Sequence, residues 1–279
     1  MVEVRLVEKT DLTMRLIIHG IDAAFLNTLR RIMLAEVPSM SINEAVVIEN
    51  SSVLHDEILA HRLGFIPLKT DLDSYNLPEE CPCKSELGCN LCRVVLTLDV
   101  EATEGKKTVY SGDLVPENPD IEPASHNIPI VKLAPDQKVR LEAYARLGIG
   151  KTHAKWQPVS VCTYKHLPEI KIDAKRCDAC GKCMEACPKK IFVDLGKRIE
   201  IRNVIECILC QYCVDACPLS PPAININVDK KAYILNVEST GALPVERILL
   251  EAIKILGKKL TDFQDSLQEA PSEDLDPKM

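Results

Sequence analysis

Aromatic side chains are scarce in this chain. One Trp, six Tyr and four Phe are spread over 279 residues. That leaves little flat surface on which a flavin or the bases of a single strand would stack. Surplus positive charge is missing too. The formal net charge is −7, from 34 Lys and Arg against 41 Asp and Glu. Affinity for phosphate backbones needs a basic face, so little or no direct DNA contact is expected beyond a local patch. No apolar run reaches the roughly 20 residues that cross a bilayer, which argues against a membrane role. The N-terminus, MVEVRLVEK, alternates apolar and charged residues and has no apolar core of a secretory leader. Catalytic patterns are also absent: there is no nucleophile–base pair and no carboxylate dyad. Residues 148–156, GIGKTHAKW, contain Gly-x-Gly-Lys-Thr without the phosphate-loop spacing. His55 and His61 do not have the i, i+4 spacing of a zinc-binding pair. These absences exclude an enzyme that works through this chain alone.

Cysteine, by contrast, is abundant, at 13 residues. With no leader legible, a cytoplasmic, reducing setting is expected, where clustered cysteines bind metal in preference to forming disulfides. Eight of them form two copies of C-x2-C-x2-C-x3-C-P, namely Cys177, Cys180, Cys183 and Cys187 with Pro188, then Cys207, Cys210, Cys213 and Cys217 with Pro218. Each cysteine recurs 30 residues later, an internal duplication. In the bacterial ferredoxin run, the fourth cysteine of each block ligates the other block's cluster. The pattern therefore predicts two [4Fe-4S] clusters. One takes Cys177, Cys180, Cys183 and Cys217; the other takes Cys207, Cys210, Cys213 and Cys187. Lys175, Arg176, Lys182, Lys189 and Lys190 would offset the clusters' negative charge. Two readings stay open: clusters as fold staples, since metal closure supplies on the order of 10 kcal/mol in zinc-finger peptides, or clusters as electron carriers.

A second group is Cys81, Cys83, Cys89 and Cys92, in CPCKSELGCNLC. Four soft ligands in twelve residues suit a tetrahedral structural zinc with no open coordination position. The bland alternative is four free thiols in a loop. Cys162 stands alone and reads as a small buried strand residue.

Periodicity gives the organisation. Alternation over 2–7 and 12–18 predicts a hairpin. Asp22 caps a helix running to about Val37, with Phe25, Leu26, Leu29, Ile32 and Met33 on one face. Residues 45–48 read as a strand, His55–Leu63 as a short helix capped by Gly64, and 93–99, 107–111, 138–146 and 158–164 as strands. Residues 116–135 are rich in proline and acid and read as irregular. A strand at 232–238 precedes a second long helix opened by Leu243-Pro244. Its stripe is Val245, Ile248, Leu249, Ala252, Leu256, Leu260 and Phe263. From Gln264 the acidic, prolyl chain reads as a disordered tail. Burying one large apolar side chain is worth roughly 1.5–3 kcal/mol, so both stripes must be covered, either by one sheet of this chain or by another subunit.

Residues 25–68, FLNTLRRIMLAEVPSMSINEAVVIENSSVLHDEILAHRLGFIPL, resemble the assembly subunits of cellular RNA polymerases. This family includes the bacterial alpha subunit, the third-largest subunit of eukaryotic RNA polymerase II and the archaeal counterpart of both. GIGKTHAKWQPV, residues 148–159, resembles the archaeal and eukaryotic branch, and VESTGALPVERILLEAIKIL, residues 237–256, the C-terminal dimerisation element. The ferredoxin insertion is similar to that of some archaeal members, and all eight ligands are kept.

The resemblance implies an α+β chain. It would comprise a discontinuous dimerisation domain of a sheet and two long helices (1–42 plus 225–263), an inserted mainly-β domain (43–165) and a ferredoxin-like domain (166–224), with a disordered tail (264–279). It implies a non-catalytic scaffold that pairs with subunit L and then meets the large catalytic and small assembly subunits. Phe25, Leu29, Ile32, Met33, Ile248, Leu249, Ala252 and Leu256 would face subunit L, and the 81–92 loop would match a zinc loop of eukaryotic relatives. The competing expectation, carried by the ferredoxin block alone, is an electron-transfer protein or the electron-transfer subunit of a redox enzyme.

Overall fold

The computed structural model describes residues 1–85, 88–196 and 198–269. In chain order the elements are β1 (Glu3–Lys9), β2 (Thr13–His19), α1 (Ala23–Ala35), β3 (Pro38–Asn50), α2 (Asp56–Gly64), β4 (Arg93–Glu101), β5 (Lys107–Tyr110), β6 (Val115–Pro116), β7 (Pro129–Leu133), β8 (Lys138–Ile149), β9 (Val159–Ile172), α3 (Lys182–Ala186), β10 (Phe192–Asp194), β11 (Ile199–Ile201), α4 (Tyr212–Asp215), β12 (Ile224–Ser239) and α5 (Val245–Glu269). Two compact units emerge, and β2, α1, β9 and β12 run through both.

The first unit holds residues 1–9, 15–26 and 163–236. Its strands belong to a sheet ordered β1-β2-β12-β9. β12 lies between two neighbours and is buried on both faces over Ala232–Leu235. β1 is an edge strand and is exposed along its whole length. The Asp22 carboxylate accepts the Phe25 N–H at 2.8 Å, which caps the start of α1 as the sequence suggests. Between β9 and β12 lie α3, the β10–β11 hairpin and α4.

The second unit holds residues 10–14, 27–162 and 237–279, as far as they are described. A sheet ordered β3-β8-β4-β6 is its frame, with β5 and β7 as a separate antiparallel pair. Alternation places Val94, Leu96, Leu98 and Val100 of β4, and Val139, Leu141, Ala143, Ala145 and Leu147 of β8, on the buried face. Leu59 and Leu63 of α2 pack into the same core. The glycines of GIGKTHAKW serve packing: a Cβ at Gly148 would overlap the Trp156 ring, and one at Gly150 would overlap the Leu34 carbonyl.

Several boundaries differ from the periodic reading. β3 spans Pro38–Asn50 rather than 45–48, because register shifts at Ile42/Glu44 and Val47/Glu49 break its alternation. The stretch 116–135 is not wholly irregular, since β7 pairs with β5 inside it. Its Pro129 is the first strand residue, where the missing N–H is tolerated. Gly64 ends α2 as a helical residue, and Phe65 takes the cap. β9 and β12 both extend into 166–224. Pro168 is accommodated because β9 is an edge strand. α5 does not stop at Phe263 but continues to Glu269. Leu267 prolongs the Leu260–Phe263 stripe, and no glycine or proline intervenes before Pro271. The rest of the expected tail, 270–279, lies outside the described residues.

Candidate metal centres and partner surfaces

Cys81, Cys83, Cys89 and Cys92 converge in the loop that leads into β4, and their sulfurs all lie within 4.8 Å of one another. Cys81–Cys89 is 3.7 Å, Cys83–Cys92 3.9 Å and Cys89–Cys92 3.9 Å. A tetrahedral zinc with Zn–S bonds of about 2.3 Å has sulfur–sulfur edges of about 3.8 Å, so the donor set fits that ion. The Cys89 N–H donates to the Cys92 sulfur at 3.2 Å, and the backbone turns back through Cys92 N–H to Cys89 O at 2.9 Å. Arg93, at the loop's exit, stacks over the Tyr144 ring at 4.6 Å. The thiols split in acidity. The Cys83 N–H pulls Cys81 down, but burial and the thiols of Cys83, Cys89 and Cys92 outweigh it and push Cys81 up to about 12. The Ser85 N–H and the Cys81 thiol bring Cys83 down to about 7. One thiolate therefore forms near neutrality, and a cation must displace the remaining protons. Glu86 and Leu87, within this loop, lie outside the described residues.

The ferredoxin blocks are duplicated in structure as well as in sequence. α3 and α4 start 30 residues apart, at Lys182 and Tyr212. Left-handed residues recur at the same offset: Ala179 (φ 55°) with Leu209 (φ 60°), and Gly181 (φ 76°) with Gln211 (φ 64°). They flank the second cysteine of each block, Cys180 and Cys210. Alternating backbone hands of this kind aim successive N–H groups into a concavity, the amide nest found at iron–sulfur and phosphate sites. Left-handed Ala, Leu and Gln are costly, on the order of 1 kcal/mol each, and persist where the surroundings impose them. The Leu209 N–H donates to the Cys207 sulfur and the Ala223 N–H to the Cys217 sulfur, both at 3.4 Å.

Cys183, Cys187, Cys207 and Cys213 are buried in one core with Ile191, Phe192, Ile199 and Ile224. Cys177, Cys210 and Cys217 are half-buried, and Cys180 is exposed. Burial pushes the Cys213 thiol up to about 11, and the neighbouring Cys187, Cys207 and Cys210 add to the rise. Those three are the partners expected for it, including the crossed-over Cys187. Cys183 is raised by burial and then by Cys177 and Cys180. Soft thiolates, inward amides and an exposed basic rim (Lys175, Arg176, Lys182, Lys189, Lys190) fit a sulfur-ligated iron cluster. Sequence reasoning missed two cations here. Lys165 donates to the Ile205 and Cys207 carbonyls, and Arg15 to the Glu206 carboxylate. Only the strand alternation hinted at them, because their partners lie about 40 and 190 residues away.

Most residues expected to meet a partner are instead sealed inside the chain. Leu29, Ile32, Met33, Ile248 and Ala252 are buried; Leu249 and Leu256 are half-buried; Phe25 alone is exposed, at 45%. The apolar surface left in water is displaced outward. On α5 it is Leu250, Ile253, Leu260, Phe263 and Leu267, the last three 60–63% exposed. The reason is length. α5 runs on to Glu269, so Leu260, Phe263 and Leu267 continue its stripe past the last buried position, Ala252. Val2, Val4 and Leu6 leave a second exposed apolar row at the N-terminal edge strand. Among the described residues, no helix is long and apolar enough to cross a membrane.

Residues 41–175 match the RNA polymerase Rpb3/RpoA insert domain, and residues 169–218 match a 4Fe-4S dicluster domain. The DNA-directed RNA polymerase subunit Rpo3 of Archaeoglobus fulgidus is 41% identical over 269 residues, covering 96% of this chain and 99% of that protein. Those of Methanosphaera stadtmanae (37% over 270 residues; 96% and 98%) and Methanosarcina mazei (39% over 263 residues; 94% and 96%) are similar throughout. An insert domain joined to an iron–sulfur domain, with relatives matched from end to end, leads to one conclusion: the chain belongs to the Rpo3 family of archaeal DNA-directed RNA polymerase subunits.

Proposed function

We propose that this subunit is a non-catalytic assembly platform. It pairs with subunit L, and the pair receives the large catalytic and small assembly subunits of the polymerase in the reducing cytoplasm. The reading divides the chain into a dimerisation domain of 1–42 plus 225–269, an inserted domain of 43–165 and a ferredoxin-like domain of 166–224. The observation that carries it is the run of Leu260, Phe263 and Leu267 on α5, exposed beyond the last buried residue of the stripe. Each such side chain gains roughly 1.5–3 kcal/mol when covered. Permanent subunit interfaces bury upwards of about 2,000 Å2 and are strongly apolar.

In this reading two [4Fe-4S] clusters sit on Cys177, Cys180, Cys183 and Cys217, and on Cys207, Cys210, Cys213 and Cys187. One structural zinc sits on Cys81, Cys83, Cys89 and Cys92. The metal centres supply cross-links that thiols alone do not; the chain supplies thiolates, inward amides and the basic rim. Exposure of Cys180 gives oxygen an approach to the first cluster, so oxidative loss would loosen the domain and weaken assembly. A ferredoxin-type electron carrier is the other reading, but it rests on the 169–218 block alone, whereas polymerase relatives match 96% of the chain.

Co-expression with subunit L followed by sizing tests the platform role. A stable heterodimer is expected, and a soluble monomer that ignores L would overturn it. Equal polymerase yields from anaerobic and oxygen-exposed samples would remove the redox dependence alone.

A further inference from the structure

The two ferredoxin blocks share a backbone but are not anchored alike. In each, a tight turn leads into the first cysteine. Arg176 N–H bonds Asp173 O at 3.1 Å, and 30 residues later Glu206 N–H bonds Asn203 O at 2.9 Å. The repeat thus places Arg176 and Glu206 at equivalent positions with opposite charge.

Among the described residues, only the second turn receives cations from the sheet. Arg15 on β2 reaches Glu206 at 2.7 Å. Lys165 on β9 donates to the carbonyls of Ile205 at 2.6 Å and of Cys207 itself at 2.9 Å. β2 and β9 flank β12 on opposite sides, so the turn is gripped from both. Beneath it lies an open cleft of about 360 Å3, lined by Arg15, Lys165, Ile205, Glu206, Ile234 and Asn236 among others. On the side of that cleft polar bridges tie the turn to the sheet, while Cys207 also packs in the core with Ile224 of β12. In the first block, Arg176 turns away to the Pro221 carbonyl, and the turn is joined to the strand ends by backbone, Asp173 N–H to Ala223 O at 2.9 Å.

We propose that Lys165, assisted by Arg15 through Glu206, is a positioning clamp that fixes the Cys207 turn to the sheet. The turn of the second cluster is thereby tied by side chains to β2 and β9, whereas that of the first meets the ends of β9 and β12 through backbone. The inference rests on the reading that Cys207, Cys210, Cys213 and Cys187 hold a cluster. Lys165 touches no iron and acts through the peptide of a ligand.

The test uses full-length protein purified anaerobically, with iron and sulfide analysis and EPR. Signals are assigned with Cys180→Ser and Cys210→Ser, each of which removes a ligand from one cluster. In Lys165→Met the second cluster should be lost to air or chelator about 10-fold faster, the range seen when a ligand's outer partner is removed. The first cluster should keep its wild-type rate, amide exchange over 204–210 should rise, and Lys165→Arg should restore the wild-type behaviour. Glu206→Gln should accelerate second-cluster loss about threefold, the scale of a surface ion pair. Unchanged rates in Lys165→Met, equal loss of both clusters, or failure of Lys165→Arg to rescue would overturn the clamp. If Lys165→Met does not fold, Glu206→Gln decides alone, and no selective loss there rejects the proposal. A wild-type protein without iron would instead reject the cluster reading itself.

Discussion

The core beneath the β3-β8-β4 sheet is almost wholly aliphatic, with Met40, Leu63, Leu96 and Leu141 among its members. The core of the ferredoxin block is half cysteine, with Cys183, Cys187, Cys207 and Cys213 beside Ile191, Phe192, Ile199 and Ile224. The first kind of core is held by area removed from water. The second is small, and burial pushes two of its thiols up, Cys183 and Cys213, the latter to about 11, so metal must displace their protons. A few isoleucines do not close such a domain by themselves; below about 40–60 residues, metals or disulfides usually complete the work. One region should therefore be folded by its side chains and the other by its cofactor.

The largest effect that would break this contrast comes from the ligands. Replacing Cys183 and Cys213 with serine should abolish amide protection across 177–217 while 93–101 and 138–149 stay protected in hydrogen exchange. A block that keeps its protection without iron would end the distinction. The converse change is Leu96→Ala. It should cost about 2–5 kcal/mol in the unfolding of the inserted domain, measured by denaturant titration, and leave iron content unaltered. Next comes Cys89→Ser, expected to release one zinc per chain and destabilise by about 1–3 kcal/mol, confined to the 81–92 loop. Zinc affinity of the intact loop should fall with falling pH throughout, because the raised Cys81 and Cys92 thiols hold protons at neutrality, and should fall more steeply below about 7, where Cys83 also regains its proton. Isothermal titration at several pH values reads this, and a flat profile would argue against thiolate ligation. The smallest effect on the lone chain should come from Leu260→Glu with Phe263→Glu. These exposed sites should change stability by no more than about 0.5 kcal/mol, yet pairing with subunit L should be lost on a sizing column. Undiminished pairing would move the interface elsewhere.

Much of this is legible from residues alone. The two CxxCxxC runs mark an iron–sulfur domain because cubane corners demand short, fixed spacings, and residues 169–218 match a dicluster domain. The alternation of β4 and β8 and the cap at Asp22 follow from local pattern. The mismatches have a common origin. β3 reads too short because two bulges hide its period. β7 escapes notice because Pro129 looks like a breaker until its edge position is known. The apolar stripes point to rows of the helices that the chain covers itself, because a stripe shows that a face is apolar, not which part of it stays in water. Leu29 and Met33 turn inward while Leu260 and Phe263 do not.

Local spacing and chemistry were enough to write down the candidate metal-binding cysteines, the strand and helix types and the family, since these depend on residues close together along the chain. Which apolar residues stay in water, which thiols are buried, and the grip of Lys165 and Arg15 on the Cys207 turn were decided only by folding. Each depends on groups brought together from as far as 191 positions apart, and no periodicity records what will stand opposite a side chain once the sheet has closed.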